Sequence, residues 1–148
     1  MIPIEQIGKV KKKNSWFWNL VIILTVIGCG FAFVLHYKNW TNIEDDTFKI
    51  TSGIYSQKIP LSQINEVTFV AKLPEMERKN GFSWLAKEKG IFKDSISGHT
   101  TYVFVDDLRQ QKIRLTHTDS LLLFFNLADS LETTKFYEEI HLKISATE

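Results

Sequence analysis

The sequence predicts a mainly β domain that ends in one α-helix and is preceded by one transmembrane helix. Three observations predict this. A run of about twenty residues near the N-terminus carries no formal charge, several short segments place apolar residues on alternate positions, and the last stretch repeats apolar residues at helical spacing. What lies beyond Trp40 in the 148-residue chain is enough for one small domain and too little for two. Short strands followed by one amphipathic helix fit a small curved sheet or partly open barrel plugged by that helix.

The uncharged run extends from Trp16 to Leu35, and as a helix it spans a hydrocarbon core roughly 30 Å thick. Its Leu, Ile, Val and Phe side chains favour insertion by about −4 to −7 kcal/mol, more than Asn19 near one end should cost. Trp16 and Trp18 at one edge and Tyr37 and Trp40 at the other are the amphipathic rings that settle among headgroups. The expected division is therefore a basic segment over 1–15, a transmembrane helix over 16–37, a linker over 38–47 and a domain over 48–148. A buried core helix is the competing structural reading of the run.

Lys9, Lys11, Lys12 and Lys13 precede the run, whereas Lys38, Glu44, Asp45 and Asp46 follow it. Counting basic residues near the ends places the N-terminus in the cytoplasm and the domain outside the cell membrane. The formal net charge of +1 hides an asymmetry: the first forty residues hold five lysines against Glu5, while Thr41 to Glu148 hold more acidic than basic residues. A cleaved export signal is a rival, but no small-x-small site follows the run. Val26-Ile27-Gly28-Cys29 resembles a lipobox, with Cys29 as the lipidated residue; against it, Phe31 to Leu35 continues apolar. Cys29 is the single cysteine, so an intramolecular disulfide is impossible and the domain depends on its core.

Within the domain, Thr41 to Asp46 is polar and acidic and reads as a short linker. Phe48–Ile50 and Ile54–Ile59 form a hairpin signal around Thr51-Ser52-Gly53, where glycine can supply the positive φ of a turn. Pro60, which has no N–H to donate, closes the second strand. Ile64 to Ala71 alternates imperfectly, and Thr101–Asp106 and Lys112–Thr118 alternate clearly, with Asp106 to Gln111 as their turn. Leu121–Leu127 is continuously apolar, as in a strand buried on both faces. Asn80-Gly81 is a tight-turn dipeptide, Gly90 suits a bend or close backbone approach, and Asn126 can satisfy loop N–H groups. Asp129 with Glu132 has capping-box spacing, so a helix should begin near Ser130. Leu131, Phe136, Tyr137, Ile140 and Ile144 then make one apolar stripe.

These pieces, in order, resemble the bacterial pleckstrin-homology-like domains found behind membrane helices. The residues that carry the resemblance are Ile59-Pro60-Leu61 with Ile64, Leu73-Pro74, Arg78-Lys79-Asn80-Gly81-Phe82 and Lys89-Gly90-Ile91-Phe92. Phe125-Asn126, Asp129, Thr133-Thr134-Lys135 and Phe136-Tyr137-Glu138-Glu139-Ile140 continue it. The resemblance implies a pleckstrin-homology-like fold and a membrane setting. It implies no activity and brings no catalytic residues.

The chain has no Gly-rich phosphate loop, no Gly-x-Ser-x-Gly elbow and no His-x-x-x-His. His36, His99, His117 and His141 are scattered, and His117 and Asp119 on one strand would share a face rather than form a relay. We therefore expect no enzymatic activity, no cofactor and no metal, with a hydrolase as a remote alternative. The polar candidate is the stretch from Lys72 to Lys93, a long insertion between strands. There Lys72, Arg78, Lys79, Lys87, Lys89 and Lys93 outnumber Glu75, Glu77 and Glu88 and are interleaved with Phe82, Trp84, Leu85, Ile91 and Phe92. That mixture suits an acidic partner or anionic headgroups; the bland alternative is a solvated loop whose aromatics enter the core. Two function classes follow: a membrane-anchored module whose sheet edge or basic loop binds a protein or peptide, and a sensor of anionic lipid surfaces. The acidic domain argues against nucleic acid.

Overall fold

Ser15–Tyr37 forms helix α1 of 23 residues, about 35 Å long at 1.5 Å per residue. It is long and apolar enough to cross a membrane and is compatible with anchoring the chain there. Thr25, a hydroxyl within the apolar run, donates to Val21 O at 2.8 Å, so its polar group is satisfied inside the helix. The computed structural model describes residues 15–117 and 121–147; Lys9 to Lys13 and Asp119, which carried the orientation and relay arguments, lie outside them. The chain divides into two compact units, Met1–Phe33 and Val34–Glu148.

In the second unit, β1 (Trp40–Glu44), β2 (Thr47–Ser52) and β3 (Tyr55–Pro60) form a three-stranded antiparallel sheet. A short 3-10 turn, Leu61–Gln63, follows Pro60. Six further strands are β4 (Ile64–Val70), β5 (Met76–Trp84), β6 (Lys87–Asp94), β7 (Thr100–Val105), β8 (Lys112–His117) and β9 (Leu121–Phe125). They pair in the order β4-β8-β9-β7-β6-β5. All these neighbours are antiparallel except β7 and β9, because β9 returns from the β8 hairpin into the gap between β7 and β8. The sheet is open, with β4 and β5 as its edges, so the strands do not close into one barrel.

Alternation along the strands builds two apolar layers. Phe48, Ile50 and Ile59 of the small sheet meet Phe104, Ile113, Leu115, Leu123 and Phe125 of the large one, together with Ile140. The rings of Phe48 and Phe125 lie 5.3 Å apart. On the other face of the large sheet Phe92, Val103, Val105 and Phe124 form a second cluster, flanked by Val70, Leu73, Met76, Leu108 and Leu122. β9 contributes to both layers, which is why its sequence is apolar without alternation.

Helix α2 spans Ser130–Ser145, and the Asp129 side chain caps it by accepting from Leu131 N. Phe136, Tyr137 and Ile144 pack on the main core and Ile140 is fully buried in it. Leu131, expected on the same stripe, is 68% exposed, and buried Thr133 takes the inward position in the first turn. Ile140→Ala should therefore cost about 2–5 kcal/mol, whereas Leu131→Ala should stay within about 0.5 kcal/mol. Thermal unfolding of the two variants checks the contrast, and equal losses would mean that the stripe has been misplaced.

Three other expectations are corrected by the strand pairing. The polar stretch 41–46 is mostly strand rather than linker, because half-buried Thr41 and Ile43 alternate toward the core and residues 40–44 pair with β2. The stretch 72–93 is not a long insertion: most of it is the β5–β6 hairpin. Asn80-Gly81 lies inside β5, and the hairpin turns at Leu85, which takes the positive φ of 53°. Gly81 is opposite Gly90, and a Cβ on Gly90 would stand 2.2 Å from Asn80 O. The glycines thus serve close backbone approach, as Gly90 suggested, rather than a turn.

Candidate functional site

The six basic residues of 72–93 are separated by the hairpin geometry. On β5 a bulge between Arg78 and Asn80 sends Arg78 to the outer face of the sheet, opposite Phe92. There its guanidinium bonds to Glu88 and donates to Ser83 Oγ at 2.8 Å, and it lies 5.6 Å from the Phe92 ring centroid. Lys79, at the bulge, pairs with Glu77 at 2.7 Å on the surface. Lys72 and Lys93 are exposed. Lys89 is on no surface. Its side chain and that of Asp106 are fully buried and make an ion pair at 2.9 Å. Lys89 faces inward because it is the cross-strand partner of Phe104, and the two residues share the core side of the sheet. Burial lowers the Lys89 pKa, against the hydrogen bond and charge of Asp106, which raise it. Lys87 lies 3.8 Å from the same carboxylate.

Asp106 belongs to a buried polar network that the sequence did not advertise. Its Oδ2 accepts from Asn39 N at 2.7 Å. The Asn39 amide donates to Phe104 O and Asn126 O and accepts from Ser52 Oγ. Asn126 Oδ1 in turn accepts from Asp106 N at 2.7 Å and Asp107 N at 3.1 Å, the loop role foreseen for it. Every buried carbonyl and amide so paired avoids a desolvation cost of about 1–3 kcal/mol. The network clamps the chain just after α1 to the ends of β2, β7 and β9. Asn39 was legible only as part of a polar linker and Asp106 only as a strand end, since their partners lie dozens of residues away.

The outer face of the large sheet carries an open groove of about 520 Å³ lined by Leu73, Pro74, Met76, Arg78, Glu88, Phe92 and Leu108. Buried Lys112 holds its walls together, donating to Ala71 O at 2.9 Å and to Leu108 O, so the loops that bring Leu73 and Leu108 are pinned to one ammonium. Burial lowers the Lys112 pKa. In the same 106–111 loop the Arg109 guanidinium holds the Asp107 carboxyl down at about 2. Beside the groove runs β5, nine residues long and, among the described residues, paired on one side only.

Among the described residues no group of three or more His, Cys, Asp or Glu is placed to hold a metal ion. The arrangement offers an apolar concavity, a fixed Arg–Glu pair and a free strand edge. Comparison of the chain with protein families, with characterised proteins and with solved structures finds no match.

Proposed function

We propose that the chain is a single-pass membrane-anchored interaction module, with its N-terminus in the cytoplasm and its β domain outside, that captures an extended protein segment along β5. The observation that carries the reading is the unpaired edge of β5 running beside the apolar groove. An added strand gains main-chain hydrogen bonds from that edge, and every second side chain can enter a pocket. Leu73, Met76, Phe92 and Leu108 favour an apolar residue there, and the Arg78–Glu88 pair at the rim sets register. Strands followed by a covering helix, behind a membrane helix, accord with the pleckstrin-homology-like resemblance, and binding of this kind needs no catalytic group or cofactor.

The reading through anionic headgroups is the weaker one. Arg78, Lys79, Lys87 and Lys89 each stand against a carboxylate, which takes away most of the positive field that such a surface needs.

A photo-crosslinking residue at Lys79, on the β5 edge, should trap a discrete partner in native membranes, and one at Leu131, on exposed α2, should not. Leu73→Asp should weaken the capture by about 30-fold, the effect of losing a 2 kcal/mol anchor, measured at a temperature where thermal unfolding shows the variant still folded. Capture should survive high salt, because strand pairing is not screened as headgroup attraction is. Identical labelling from both positions, or capture unaffected by Leu73→Asp, overturns the reading.

A further inference from the structure

We infer that the β2–β3 and β5–β6 turns are membrane-contacting tips that place Ile54, Trp84 and Leu85 in the interfacial layer of the bilayer that α1 enters; this rests on the membrane-anchored reading above. The observations are local to the second unit, which includes the last turn of α1. The His36 ring packs so closely on Gly53 that a Cβ there would stand 2.4 Å away, and it lies 5.6 Å from the Phe82 ring. Tyr37 lies under Lys87, with the ammonium 5.0 Å from its ring centroid. Both turns therefore touch the residues at which the apolar helix ends.

At these two turns large apolar side chains stand mostly uncovered by the described residues. Ile54 is 75% exposed, Trp84 56% and Leu85 91%. Leu85 also occupies a left-handed backbone position, φ 53°, where glycine or asparagine is the ordinary choice. A leucine at such a tip gains nothing from protein or from water. It gains from hydrocarbon, and a neighbouring tryptophan suits the headgroup boundary. Trp40, with Lys38 4.2 Å over its ring, supplies the same chemistry immediately after α1. Because the tips abut the end of the span, the membrane interface is within reach without any further ligand, and continuity with the anchor selects lipid as the occupant. Ile96, more exposed still at 98%, makes the internal control: it lies beyond the far end of β6, about 25 Å of strand from the β5–β6 turn.

The test uses the full chain with Cys29→Ser, reconstituted in phosphatidylcholine vesicles without anionic lipid. Single cysteines at Ile54→Cys, Leu85→Cys, Ile96→Cys and Val26→Cys carry an environment-sensitive fluorophore. Labels at 54 and 85 should shift to the blue and lose emission when the lipid bears a nitroxide near its headgroup, whereas the label at 96 should do neither. The label at 26 should be quenched by a nitroxide deep in the acyl chains. If 54 and 85 behave as 96 does while 26 is quenched, the chain is anchored and the inference is overturned. If 26 is not quenched, the anchored reading falls and the inference with it. Blue-shifted but unquenched labels at 54 and 85 would place these side chains against protein, such as a second copy, and also overturn it.

Discussion

Asp106→Ala is expected to lower the stability of the full chain by about 3–5 kcal/mol, because it leaves the Lys89 ammonium buried without its carboxylate. A domain of this size has only about 5–15 kcal/mol to lose. The same substitution removes the acceptor of Asn39 N, so the link between the end of α1 and the sheet loosens with the core. The double variant Lys89→Met with Asp106→Asn removes both charges and retains an oxygen for Asn39, and should lose far less. Urea unfolding of detergent-solubilised protein measures both; a single variant as stable as the parent would show that the pair is hydrated. The pH dependence has a definite sign. Burial lowers the folded-state pKa of Lys89 below its ordinary 10.5, so between the two values the unfolded chain binds more protons and stability rises with pH. In Asp106→Ala the support for the charged form is gone, and the rise should begin at lower pH than in the parent.

Gly90→Ala should separate β5 from β6. The added methyl would meet Asn80 O at 2.2 Å and Gly81 Cα at 2.5 Å, and the backbone φ of 153° is one that side chains rarely adopt. Strain of about 1–3 kcal/mol at such a position combines with about 1–3 kcal/mol for forcing packed backbones apart. Since β5 is an edge strand with β6 as its one partner, the loss should appear locally, as fast amide hydrogen exchange over Met76–Trp84 while β7, β8 and β9 remain protected. Partner capture through the β5 edge should disappear together with that protection. Slow exchange in β5 after Gly90→Ala would mean that the two strands tolerate a wider spacing than the glycine pair implies.

Several elements were legible in the residues because their cause is local. The apolar run fixed α1, since length and lack of charge are sufficient for a span. Phe48 and Ile50 ahead of Gly53, and Pro60 after Ile59, announced the β2–β3 hairpin. Asp129 announced the start of α2. Leu121–Phe125 reads as a doubly covered strand from composition alone. Period-two alternation reports burial wherever one face of a strand meets the core, so β7 and β8 were also readable. β1 and β5 were not, because an exposed edge strand has little to alternate: Glu77-Arg78-Lys79-Asn80 looks like a loop until β6 pairs with it.

The candidate site depended almost wholly on such distant pairing. Six basic residues close in sequence suggested one positive surface, yet a β-hairpin sends neighbouring side chains to opposite faces and a bulge shifts that parity at Lys79. Arg78 thus reached the groove while Lys89 went into the core to meet Asp106. Composition and periodicity alone determined a membrane-length helix, a set of strands and a capped final helix. Which carboxylate meets which lysine, which edge stays open and which turns stand beside the end of α1 were decided by strand order, because these contacts join residues that only the folded sheet brings within a few ångströms.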